Sequence, residues 1–142
     1  MLDLEGDRYR AENILVHEFS HTIHNFGLRK VDPAFDERLK KTFDKAVANG
    51  LWKNTYAATN HEEYWAEGVQ DYFDCNSNIP RDGVHNHVDT REELQEYDPA
   101  LFAVIDNVFR GNSWRYVRYH ERNKSAEMQP AEHNSAAPKA GP

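Results

Sequence analysis

His17-Glu18-Phe19-Ser20-His21, lying within Ile14-Leu15-Val16 and Thr22-Ile23-His24, decides how this chain is read. Around it Val16, Phe19, Ile23 and Phe26 recur at spacings of three and four. That pattern predicts a helix from about Arg8 to Phe26 with those four residues as its apolar stripe, and Gly27 is expected to stop it. On such a helix a spacing of four puts His17 and His21 one turn apart on one face, where both imidazoles can reach one zinc ion. Glu18 is rotated to the side of the pair, where it can take a proton from a water beside the ion.

A catalytic zinc needs a third protein ligand and an open fourth position. A histidine ten residues after the first is excluded, because that position is Gly27. His24 lies one turn beyond His21. Three ligands on one straight helix would spread the outer pair ~10 Å along its axis, so His24 is expected behind the ligands or at the surface. A carboxylate from a second helix is the alternative, and Asn60-His61-Glu62-Glu63-Tyr64-Trp65-Ala66-Glu67 offers two. Glu63 and Glu67 share a face, with Asp71 a turn further on. One of them can ligate while the next holds a ligand histidine by its free ring N–H. Glu63 can equally close a capping box with Asn60.

The rest of the chain reads as further helices. Asp32-Pro33 is expected to cap a second, buried through Phe35, Leu39, Phe43 and Val47 and ended by Asn49-Gly50. Leu51 to Thr59 is a connector with room for a short strand. Asn60 is expected to cap the third helix, with Trp65, Val69, Tyr72 and Phe73 inward. Cys75 to Asp89 is a long polar loop, of a length that is usually functional; its His85 and His87 are expected near the site. Thr90-x-x-Glu93 opens a fourth helix, and Asp98-Pro99 a fifth with Leu101, Val104, Ile105 and Val108 as its stripe. Trp114 to His120 is expected to be a strand or an extended packing segment. The class is mainly α, with little or no β-sheet.

Composition narrows the function. The 142 residues carry 24 acidic and 17 basic side chains, a net charge of -7, so a clustered positive field for nucleic acid is not expected. No run is long and apolar enough for a transmembrane helix, and no basic leader with an apolar core opens the chain. Cys75 is the single cysteine, which excludes an internal disulfide framework and a thiolate-rich zinc site. Asp74-x-Asn76-x-Asn78 fails as a calcium loop, with Ile79 at its sixth position and His85 at its twelfth. Residues 1–122 read as one domain. Residues 123–142, rich in Ala, Pro, Ser and Gly, read as a disordered tail.

The two blocks His17–His21 and Tyr56–Glu67 resemble those of gluzincin-type zinc metallopeptidases, in particular the anthrax toxin lethal factor catalytic domain and the bacterial Pro-Pro endopeptidases. The resemblance covers roughly residues 8 to 75. It implies a zincin-like catalytic domain that hydrolyses peptide bonds in a peptide or protein substrate. It also implies His17, His21 and Glu63 as zinc ligands, Glu18 as general base and Tyr56 as transition-state stabiliser, and it supports Glu67 as the residue that orients a ligand histidine. Members of that group place a small sheet before the first metal helix. About a dozen residues precede the motif here, so the sheet is expected to be reduced, or the chain truncated at its N-terminal side. The competing expectation is a catalytically silent zincin-like module that keeps zinc and binds a protein; a hydrolase for a non-peptide amide is a third.

Overall fold

Asn60 to Cys75 builds the centre of the molecule in this computed structural model, which describes residues 6, 7, 9, 11–79, 84–118 and 121–122. Asn60 Oδ1 accepts from the backbone N–H groups of Glu62 and Glu63, both at 2.9 Å, and so starts helix α4, His61–Tyr72. From Tyr64 to Tyr72 every residue of α4 is buried, as expected of a helix covered on all sides. It ends in a Schellman motif. Cys75 N–H bonds to Gln70 O and Asp74 N–H to Asp71 O, with Asp74 in the left-handed region at φ 58°. Asp74 does without glycine there because its carboxylate accepts from Arg91 N–H and from Arg115.

The other elements pack around α4. Helix α1, Ile14–Thr22, passes without a break into a π-helical turn, Ile23–Leu28, and then into the short α2, Arg29–Val31. Helix α3, Phe35–Ala48, follows, then a 3₁₀ turn, Tyr56–Ala58, and after α4 the helices α5, Arg91–Tyr97, and α6, Pro99–Phe109. The fold is therefore mainly α; among the described residues there is no strand, and no helix is long and apolar enough to cross a membrane. Leu51–Thr59 holds turns and the 3₁₀ segment in place of the expected strand, and residues 114–118 run extended beside Phe73, whose carbonyl accepts from Tyr116 N–H. The expected tail, 123–142, and residues 119 and 120 lie outside the described residues.

Two expectations for the first helix are overturned. Gly27 does not stop it; the chain widens into a π turn through that glycine and continues to Val31. The apolar stripe is not the most buried face either, although Val16 and Ile23 pack against the core. Phe19 is 63% exposed and Phe26 70%, whereas Asn13, His17, Ser20 and His24 are buried. The polar face turns toward α4, where the His17 ring and the Asn13 and Ser20 carbonyls find polar partners. The outer face, through Leu15, Val16, Phe19 and Ile23, helps line an apolar groove of about 570 Å³ with Val69, Phe73, Phe109 and Trp114. The cap of α3 also shifts, to Ala34; the Asp32 carboxylate accepts from Ala34 N–H at 3.3 Å and from Arg38 at 2.6 Å, and Val47 at the far end of the helix is exposed.

Close packing fixes α6 on α4. A Cβ on Gly68 would lie 2.6 Å from Leu101 Cδ2 and 2.8 Å from Ile105 Cδ1, both on fully buried side chains. Asp98 locks the same layer. One oxygen caps α6 through Leu101 N–H, and the other accepts from Trp52 Nε1–H at 2.9 Å and from the Tyr64 hydroxyl at 2.5 Å. Asp98→Ala would leave three buried donors without an acceptor. It is expected to destabilise the fold by about 3 kcal/mol or more, read as a lower urea midpoint at unchanged slope.

Candidate metal centre

Helix α1 brings His17 and His21 to the first turn of α4, where Glu63 stands. His17 Nε2 lies 3.1 Å from Glu63 Oε2, His21 Nε2 lies 3.3 Å from the same oxygen, and the two nitrogens are 3.2 Å apart. Among the described residues this is the one trio of histidine, cysteine or acidic side chains whose ligand atoms converge in this way. Three ligands held at about 2.0–2.1 Å from a tetrahedral zinc lie roughly 3.3 Å from one another, so the triangle fits the face of such a site. Two imidazole nitrogens with lone pairs facing one another across 3.2 Å repel unless a cation or a proton lies between them. Asn60 holds Glu63 by its backbone N–H; the Glu63 carboxylate faces the histidines, not the cap as in a capping box.

The tautomer of His17 follows from its neighbours. Gln70 Nε2 donates to Glu12 Oε2 and Asn13 O, which can only accept, so the Gln70 amide oxygen must face His17. It accepts from Nδ1–H at 2.9 Å, so that the ring, when neutral, carries its lone pair on Nε2, toward the cluster. Glu67 Oε1 lies 3.2 Å from the same Nδ1. Burial works against charge on this ring, but Glu67, Gln70 and Glu63 outweigh it and hold the His17 pKa up at about 9 in the metal-free chain. Gln70 was not singled out from the sequence. Its signal was its place three residues after Glu67 and seven after Glu63, on the same helical face.

Behind the ligands lies a buried polar layer. Burial pushes the Glu67 carboxyl up, yet contacts with His17 and His85 bring it down to about 2. His85 has its Nδ1 3.3 Å from Glu67 Oε2 and its Nε2 3.7 Å from Glu12 Oε1. Burial lowers its pKa, and the two carboxylates outweigh that and raise it to about 9. Asn76 Nδ2 donates to Glu67 Oε2 and to Asp71 Oδ1. Asp71 is fully buried, and its Oδ2 has no partner. Loss of hydration first, and the Glu67 charge second, raise its carboxyl well above the ordinary range.

The remaining residues singled out from the sequence divide. Tyr56, half exposed on the 3₁₀ turn, has its ring centroid 6.2 Å from that of His17, and Ala57 beside it is buried. Burial and then the Glu63 carboxylate raise its hydroxyl, with smaller effects from Glu67 and Glu18. Glu18 is exposed on α1 beside the pair. His24 is not brought to the cluster. It is fully buried one turn further along, where its Nε2 meets Asp36 Oδ1 at 2.9 Å, an oxygen that Arg29 and His61 also reach. His87 packs on Tyr97, away from the cluster.

Asp71 gives a pH test of this layer. A carboxyl raised in the folded state loses stability as pH rises from its ordinary value of about 4 toward its folded one, because the unfolded chain releases the proton first. Asp71→Asn keeps an acceptor for Asn76 and does not titrate. It is expected to gain on the unsubstituted chain between pH 5 and 8, by up to about 1.4 kcal/mol per pH unit, in urea unfolding. Parallel pH profiles would contradict this.

Compared with known proteins, the chain matches no family model, no curated protein and no solved structure.

Proposed function

We propose that this chain is a zinc-dependent endopeptidase of the gluzincin kind, on a zincin-like domain. The observation that carries this reading is the triangle of His17 Nε2, His21 Nε2 and Glu63 Oε2, with edges of 3.1–3.3 Å. These three would hold the ion. When bound, zinc lowers the pKa of a water from 15.7 toward about 7 and polarises the scissile carbonyl.

The protein's own groups do the rest. Glu18 is the exposed carboxylate on the helix that carries both histidines; it takes the proton from the attacking water and returns it to the leaving amine. Tyr56 keeps its proton near neutral pH, as any phenol with a pKa of about 10 does, and so can donate a hydrogen bond to the oxygen where charge develops. Gln70 and Glu67 hold His17 in the tautomer that presents Nε2. The substrate is a peptide or protein.

Elemental analysis is expected to find one zinc per chain, and a casein or peptide-library assay is expected to show turnover that a chelator abolishes. Glu18→Gln should keep the zinc and lose about 10²–10⁴-fold in rate. Tyr56→Phe should lose about 10²–10³-fold with zinc retained. His17→Ala and Glu63→Ala should lose tight zinc binding, as each leaves two protein ligands. Full turnover by Glu18→Gln would rule out the mechanism. Stoichiometric zinc without turnover in the unsubstituted chain would favour a silent, zinc-clamped binding module.

A further inference from the structure

Val84 and His85 are neighbours in sequence and reach two different parts of the site. Val84 O accepts from Tyr56 N–H at 2.8 Å, which holds the turn that presents Tyr56. His85 turns the other way, and its side chain is 9% exposed between Glu67 and Glu12. The segment is anchored beyond it. Asn86 Oδ1 accepts from Val88 N–H at 2.9 Å, and Val88 is buried in the core. His85 therefore stands at ion-pair distance from two carboxylates, 3.3 Å from Glu67 Oε2 and 3.7 Å from Glu12 Oε1, with neither contact in hydrogen-bond geometry.

Glu67 needs such a partner. Its side chain is 5% exposed, so its charge has little water to turn to. One oxygen faces His17 Nδ1, and the other faces Asn76 and His85. Asn76 shares its amide between Glu67 and Asp71, which leaves His85 as the one side chain at that oxygen able to bring a full charge. Without it the carboxylate would be free to rotate from His17 toward the Asn76 amide, or to draw in water.

Resting on the zinc reading above, we propose that His85 is a positioning residue of the metal centre: it clamps Glu67 from behind, so that Glu67 fixes the ring plane of His17 for the ion. It touches neither metal nor substrate. Outer partners of metal ligands typically contribute 10–100-fold to affinity, and a group one step further out is expected at the lower end of that range.

The test is zinc affinity by competition with a chromophoric chelator, together with the visible spectrum of the cobalt(II)-loaded chain. His85→Leu keeps bulk and removes the donors. It should weaken zinc about tenfold and shift the cobalt bands, with the metal-free urea midpoint as the check on folding. His85→Gln, which restores an N–H, should recover most of the affinity. In a Glu67→Gln background His85→Leu should change little, because its route to the metal is already cut. Unchanged affinity and bands in His85→Leu would overturn the proposal, and so would an equal loss in the Glu67→Gln background. His85→Ala is read in the same way should the leucine not fold. Failure of the unsubstituted chain to bind zinc or cobalt would instead overturn the metal reading, and the proposal with it.

Discussion

The burial of a polar helix face against α4 is the constraint from which the rest follows. Asn13, His17, Ser20 and His24 occupy the inner side of α1 and its π-helical extension, where an ordinary amphipathic helix would put leucine or valine. Burying polar groups costs stability unless each finds a partner. Here, among the described residues, Asn13 Oδ1 and His24 Nδ1 have no partner, and the other contacts are specific. Trp65 Nε1–H donates to Ser20 O, Gln70 accepts from His17, and His24 meets Asp36. Such contacts tolerate little slippage, so the helix is held in one register. A shift of one residue would exchange His17 for Val16 or Glu18 opposite Gln70.

The π turn belongs to the same constraint. An α-helix that ended at Gly27 would release the chain before Arg29. By widening at Ile23–Leu28 the helix continues, and Arg29 reaches both Asp36, at 2.8 Å, and Glu62 on α4, also at 2.8 Å. Asp36 thereby gathers Arg29, His24 and His61 at one oxygen, tying the π-helical turn, α3 and α4 together one turn from the His17, His21 and Glu63 trio. Insertions of this kind are common where a helix carries a functional site, because they re-aim side chains without ending the helix.

Local chemistry was legible in the sequence, and side-chain partnership at a distance was not. The caps at Asn60, Thr90 and Asp98-Pro99 stand where they were expected, since each depends on an oxygen within three residues of the N–H it accepts from. The trio His17, His21 and Glu63 was assembled from a spacing of four and a family resemblance, and the structure brings those atoms together. Hydrophobic periodicity found Val16 and Ile23, which pack against the core, but set the exposed Phe19 and Phe26 beside them and missed His17, because it counts methyl groups and has no knowledge of a partner 53 positions away such as Gln70. Asp32-Pro33 marked the right neighbourhood, since Asp32 Oδ1 accepts from Ala34 N–H, and the helix itself starts at Phe35. His85 could be placed only near the site, since nothing local specifies that a loop histidine meets a carboxylate on α4.

Three carboxylates on one face of α4 meet three different fates, which explains the order in which they occur. Glu63 sits in the first turn, where free N–H groups favour negative charge, and its oxygen faces two imidazoles. Glu67, one turn deeper, stays charged only because His17 and His85 flank it. Asp71, a further turn in, has no cationic side chain in direct contact among the described residues, and burial raises its carboxyl well above the ordinary range. A charge at that depth would compete with Glu67 for the Asn76 amide, which the two share. Depth along α4 thus grades the three environments, from the free N–H groups of the first turn to full burial two turns on.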